Sequence, residues 1–240
     1  MMLGFFYAPY WWIVIPPALF AMWAQFRLRS THSEYSQVGT QHGLTGAEVA
    51  REILDRNGLS GVPIHEVPGE LTDHYDPSKR AVFLSESTAY NTSVAAVGVA
   101  AHEVGHAIQH KEAYSMLGLR MALVPVTGIA TTVSNLLILL GFFISQLRGL
   151  SGFGNTLFLL GIGFFSIFAL FQLITLPVEY DASARAKAQL QRLGLVNPSE
   201  HEGVDRVLSA AALTYVAAMA SAMTQLLQLI LVARSRDDNR

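Results

Sequence analysis

Residues 100–110 read Ala100-Ala-His-Glu-Val-Gly-His-Ala-Ile-Gln-His110, and the rest of the chain is best read outward from them. On a helix His102 and His106, four residues apart, stand one above the other on a single face. Two imidazoles so placed can both reach one tetrahedral zinc, and Glu103 beside them can take a proton from a water that the metal activates. The pattern points to metal-assisted peptide hydrolysis. The plainer reading is an exposed helix with coincidental histidines, and the flanking sequence weighs against it. Small residues at Ala95, Ala96, Ala100, Ala101 and Gly105 permit tight packing around a helix spanning 87–109. His110 is one position off the metal face and reads as a surface or interfacial histidine.

Away from the motif the chain is apolar. Of its 240 residues 51% are hydrophobic and 14% charged, a balance that points to membrane rather than to a soluble globule. Four stretches without a charged residue, 5–24, 121–147, 153–178 and 207–233, each reach the roughly 20 residues needed to cross a bilayer as a helix. The expected fold is therefore a mainly α integral membrane protein of about four transmembrane helices with a small α+β catalytic region. Net charge is −2 and no basic run suggests nucleic acid. Cysteine is absent, so disulfides and thiolate ligands are excluded and a zinc must be held by histidine and carboxylate.

These features divide the chain into an N-terminal membrane anchor at 1–24, a cytoplasmic catalytic region at 25–120 and a pair of transmembrane helices at 121–178. A cytoplasmic helix at 179–206 and a C-terminal membrane helix with its tail at 207–240 complete it. The first stretch lacks a basic n-region and a small-residue cleavage site, and reads as an uncleaved anchor that Pro9, Pro16 and Pro17 would kink or interrupt. Within the polar region, 46–57 places Val49, Ile53 and Leu54 on one helical face and stops at Gly58. A weak alternation at 62–67 and the run 81–85 read as short strands, separated by a turn-rich segment at 71–78. Val82, Phe83 and Leu84 are a candidate substrate-binding edge, since extended peptides pair with exposed strand edges, although an ordinary core strand is at least as good a reading.

A catalytic zinc needs three protein ligands and an open position. Polarity returns abruptly at Thr175-Leu-Pro-Val-Glu-Tyr-Asp-Ala-Ser-Ala-Arg185, where Pro177 either starts a new helix or kinks a continuing one. Glu179 is the preferred third ligand and Asp181 the alternative, which would otherwise have a supporting role; capping of a helix start by acidic residues would explain both without a metal. His74, between Asp73 and Asp76, is a candidate donor to a tetrahedral intermediate, though turn-building explains the same residues. Tyr215 is a candidate oxyanion donor, with helix packing as the plainer role.

Four segments carry a resemblance to a known family: His102-Glu-Val-Gly-His-Ala-Ile-Gln109, Leu71-Thr-Asp-His-Tyr-Asp-Pro77, Leu176-Pro-Val-Glu-Tyr-Asp-Ala-Ser183 and Ala211-Ala-Leu-Thr-Tyr-Val-Ala217. Together they resemble the YugP-type membrane zinc metallopeptidases of bacteria over nearly the whole chain. More distantly the arrangement is similar to the HtpX and CAAX prenyl protease families, which are membrane gluzincins. The resemblance implies one zinc per chain held by His102, His106 and Glu179, with Glu103 as general base. In the distant relatives an aspartate four residues after the ligand glutamate supports the first histidine; here that position is Ser183, and Asp181 is only two residues along.

Charge sets an expected topology. Arg27, Arg29, Lys111, Arg120, Arg185, Lys187 and Arg192 fall on one side if the spans alternate, and that side would be the cytoplasm. The expectation is a multi-pass cell-membrane enzyme with its active site on the cytoplasmic side, acting on a membrane-associated peptide or protein. The arginines of the tail break the trend, so the last stretch either stops short of a full crossing or departs from the charge rule locally. An idle zincin-shaped scaffold keeps the same fold but has no need of Glu103, and a transporter would carry the intramembrane charges that these spans lack.

Overall fold

The computed structural model describes residues 10–237. The described elements, in chain order, are α1 (Ile15–Tyr35), α2 (Gly46–Arg56), β1 (Ile64–Val67), β2 (His74–Asp76), β3 (Ala81–Ser85), α3 (Glu86–Ala89), α4 (Val94–Lys111), α5 (Ser115–Ile144), α6 (Ser151–Arg192) and α7 (Pro198–Asp237). They fall into two compact units, one of Ala24–Gly118 with Pro177–Thr214, the other of Met1–Trp23, Leu119–Leu176 and Tyr215–Arg240.

The first of these units holds the motif. α2 starts at a capping box: Thr45 accepts from the Glu48 amide while the Glu48 carboxylate accepts from the Thr45 amide. Its apolar face, Val49, Ile53 and Leu54, packs into a core shared with Val82 and Leu84 of β3, Val97, Val104 and Ile108 of α4, and Leu190 of α6. α4 does not run from residue 87 as the sequence suggests. The Asn91 carboxamide accepts from the Ser93 amide, an Asx turn that ends α3, and Ser93 then caps α4 by accepting from the Ala96 amide.

The sheet corrects one expectation. Its order is β1-β3-β2, with β3 parallel to β1 and antiparallel to β2. β3 is the central strand, so the backbone of Val82, Phe83 and Leu84 is engaged on both sides and offers no edge to a substrate. Val82 and Leu84 are also fully buried against α4. The strand with a free side near the motif is β2, three residues inside the segment read as turns; the Asp and Pro residues around it mask so short a strand.

α6 is one 42-residue helix with Pro177 inside it, not a span ending at the proline. The approach of α6 to α4 is set by one glycine. A Cβ added at Gly105 would stand 2.5 Å from the Ala182 carbonyl oxygen, so only a residue without a side chain lets the two backbones come this close.

Three helices among the described residues are long and apolar enough to cross a membrane: Ser115–Ile144, Ser151–Arg192 and Pro198–Arg236. Of the expected first span, residues 5–9 lie outside the described residues. The described remainder, 10–24, is shorter than a full crossing and runs within three residues into Arg27. Pro16 and Pro17 occupy the first turn of α1, where a missing N–H costs nothing. In the second unit α5 and α6 form a tight hairpin, with backbone of one against Gly141 and Gly154 and with the Ser134 hydroxyl donating to the Gly161 carbonyl at 2.8 Å. Arg236, near the end of α7, lies over the rings of Phe142 and Phe158, 5.0 and 4.4 Å from their centroids. The end of α7 and the loop joining α5 to α6 therefore share one end of this unit.

Candidate metal centre

His102 and His106 project from one face of α4 with ring centroids 4.9 Å apart and planes nearly perpendicular. Glu179, buried on α6, brings its Oε2 to 3.2 Å from His102 Nε2 and 3.5 Å from His106 Nε2. Tetrahedral bonds of about 2.0–2.2 Å place two ligand atoms about 3.3–3.5 Å apart, so the carboxylate stands from each imidazole at zinc-ligand spacing. All three donor atoms lie within 4.8 Å of one another. Two imidazoles and one carboxylate, converging in a buried place from two helices, fit a catalytic zinc by donor type and by spacing.

Each histidine is oriented through its other ring nitrogen. The Ser183 hydroxyl stands 3.1 Å from His102 Nδ1, so the position where the distant relatives carry aspartate is filled by a shorter polar group that still reaches the ring. Gln109 does the same for His106. Its Nε2 donates to the Val178 carbonyl and to the Asp181 carboxylate, both at 2.8 Å, and those two acceptors fix which way the amide faces. Its Oε1 therefore accepts, at 2.9 Å, from His106 Nδ1–H. His106 then carries a proton on Nδ1 and presents its Nε2 toward Glu179.

The same network accounts for Asp181. Its carboxylate accepts from Gln109 and, at 2.5 Å, from Arg185 Nε, while Arg185 Nη1 reaches Glu112. The side chain is thus turned into a chain of polar contacts behind His106, and the carboxylate grouped with the histidines is Glu179.

Glu103 is buried and follows His102 directly. Burial pushes its carboxyl up to about 7, the carboxylates of Glu179 and Asp73 add to the shift, and His102 and the backbone amide of Tyr75 oppose it. That amide belongs to β2. A group titrating this close to neutrality can both take and return a proton at physiological pH.

Two other candidates stand apart. His74 is exposed on the sheet face opposite Val82 and Leu84, stacked on Phe83 at 4.8 Å, and its Nδ1 donates to the Thr72 carbonyl. The structure does not bring it to the three ligand groups. Tyr215 lies on α7 in the unit that does not contain the histidines. Reading by sequence missed Gln109 and the backbone of Tyr75. The first had a visible signal, lying one helical turn past His106; the second had none, because any residue supplies an amide.

Two helices that bring two histidines and a glutamate to metal-ligand spacing, with a second, buried glutamate beside them, define a candidate zinc hydrolase. The pattern of the family described as "Putative neutral zinc metallopeptidase" matches residues 10–234, and the chain belongs to that family. It is 48% identical over 220 residues to a protein of Bacillus subtilis (strain 168) named "Putative membrane protease YugP", a match that covers 91% of this chain and 94% of the relative. No solved structure matches the chain.

The network around His106 yields a prediction. Changing Gln109 to Leu keeps the size and removes both the acceptor for His106 and the donor to Asp181. Zinc affinity, measured by competition with a chelator of known strength, should fall about 10–100-fold, the usual worth of a group that orients a metal-binding histidine. Ser183→Ala should act in the same direction through His102. Unchanged affinity in both would show that the rings are held by packing alone.

Proposed function

We propose that this protein is a membrane-embedded, zinc-dependent metallopeptidase that hydrolyses peptide bonds of membrane-associated or misfolded proteins. The observation that carries the reading is the convergence of His102, His106 and Glu179, with ligand atoms within 4.8 Å, beside the buried carboxyl of Glu103. His102, His106 and Glu179 would hold one zinc per chain. When bound, zinc supplies the Lewis acidity that polarises a scissile carbonyl and makes water a nucleophile near neutral pH.

The remaining work belongs to the chain. Glu103 takes the proton of the attacking water and returns it to the departing amine, so that one group serves as base and then as acid. Gln109 keeps the His106 proton on Nδ1, and the Ser183 hydroxyl engages the Nδ1 of His102, so both rings present Nε2 toward Glu179.

The cell membrane is the proposed location, with the catalytic residues on the cytoplasmic side by the charge rule applied to Lys111, Arg120, Arg185 and Lys187 along the chain. Glu179 follows the apolar run of 153–178 directly, which favours substrates attached to or emerging from the bilayer.

The test is metal removal on the purified full chain in detergent. About one zinc per chain is expected by elemental analysis, cleavage of an unfolded protein substrate such as casein or of a membrane-protein fragment should stop on chelation, and both should return when zinc is restored. Cleavage that continues in zinc-free protein would overturn the reading.

A further inference from the structure

We propose that a basic pocket beside Glu103 receives a carboxylate of the peptide being cleaved; the proposal rests on the metallopeptidase reading and names what that site selects. The pocket is a cavity of about 430 Å³ whose walls include Gly58, Tyr75, Arg80, Ala107, His110 and Lys111. That volume is within the range of small-ligand sites. All its lining residues lie between 58 and 111, none on the three apolar helices, which favours a peptide occupant over a lipid.

Neither cation of the pocket, Arg80 or Lys111, has a carboxylate partner among the described residues, and the nearby acids are engaged elsewhere: Asp76 with Lys79, Asp55 with Arg51 and Glu112 with Arg185. The Lys111 ammonium donates to the Asn57 carbonyl at the end of α2 and is held at the wall with two donors to spare. Arg80 offers the planar fork that matches a carboxylate. Its backbone has φ 51°, a left-handed conformation uncommon for a residue with a side chain, in the turn that leads into β3. The Tyr75 hydroxyl and His110 Nδ1, 2.8 Å apart, complete the polar wall.

Tyr75 joins this pocket to the reaction. Its backbone faces Glu103 and its side chain lines the cavity. Along α4, Ala107 is one turn and Lys111 two turns beyond Glu103, about 6 and 12 Å at the rise of a helix. An extended peptide covers about 3.4 Å per residue, so the bound carboxylate belongs about two to four residues from the scissile bond. It is either an acidic side chain or a free C-terminus.

The experiment uses the zinc-loaded full chain in detergent and a set of peptides carrying Glu or Gln two to four residues from the cut, each as free acid and as C-terminal amide. Peptides with a carboxylate in reach should be cleaved with kcat/KM at least about tenfold above their neutral counterparts, the scale of a charge-assisted hydrogen bond. A preference that survives amidation assigns the side chain, and one lost on amidation assigns the C-terminus. In the Arg80→Gln, Lys111→Gln double variant, with zinc content and circular dichroism unchanged, the ratio should fall to near one. Equal cleavage of acidic and neutral peptides by the wild type, or a ratio that persists in the double variant, overturns the pocket. If no peptide is cut at all the metallopeptidase reading fails, and binding of the same peptides to the Glu103→Gln chain then decides the pocket: about tenfold tighter binding of the acidic members supports it and equal binding overturns it. Displacement of bound acidic peptide by phosphatidylglycerol vesicles but not by an excess of other acidic peptides would overturn the peptide assignment in favour of a lipid headgroup.

Discussion

Glu103→Gln should leave the chain folded and loaded with zinc while lowering kcat for peptide cleavage by about 10²–10⁴, the usual contribution of a positioned general base. The substitution is nearly isosteric, so the side chain keeps its place in the buried site. What it removes is the capacity to take a proton. Glu103 is not one of the three groups converging at ligand spacing, so metal content should match the wild type. Because the lost function is proton transfer, the effect should fall on kcat with little change in KM. A variant cleaving at near wild-type rate would show that another group is the base. Loss of zinc together with activity would show instead that Glu103 acts on the metal site itself.

The parts of this architecture that are legible in the sequence are those with a local cause. The capping box of Thr45 and Glu48, the apolar face of α2 and the spacing of His102 and His106 are each complete within a few residues. Glu179 is visible as one of two carboxylates after an apolar run, but choosing it over Asp181 needs the packing of α6 on α4. That packing turns on Gly105, whose missing side chain admits the Ala182 carbonyl. β2 is hidden because three residues carry no periodicity, and with it goes the order of the sheet. The central place of β3 comes from two pairings between segments that a hydropathy pattern does not relate. Ser183 looks in sequence like a loss of the supporting group, and in space the hydroxyl reaches the same ring nitrogen. Sequence gives the residue types; which of them meet is decided by tertiary contacts.

The assignment of Glu179 leads to the second large effect. Glu179→Ala should weaken zinc binding more than about a thousandfold, since groups that only orient a ligand are worth about 10–100-fold and this one donates a ligand atom. The vacated space lies between two histidines, buried on α6 against α4, and no other carboxylate is grouped with them among the described residues. Asp181 cannot simply replace it, because its Oδ2 accepts from both Gln109 and Arg185 and holds the side chain on the far side of His106. Asp181→Asn is therefore the informative partner to Glu179→Ala. It should weaken zinc only to the extent that Gln109 loses its hold on His106, within the 10–100-fold range of such orienting contacts. If the order were reversed, with Asp181→Asn abolishing binding and Glu179→Ala sparing it, the ligand would be Asp181 and the approach of α6 to α4 at Gly105 would serve packing alone. With the expected order, the same approach is what completes the metal site, and zinc binding should stabilise the folded chain by drawing the two helices together.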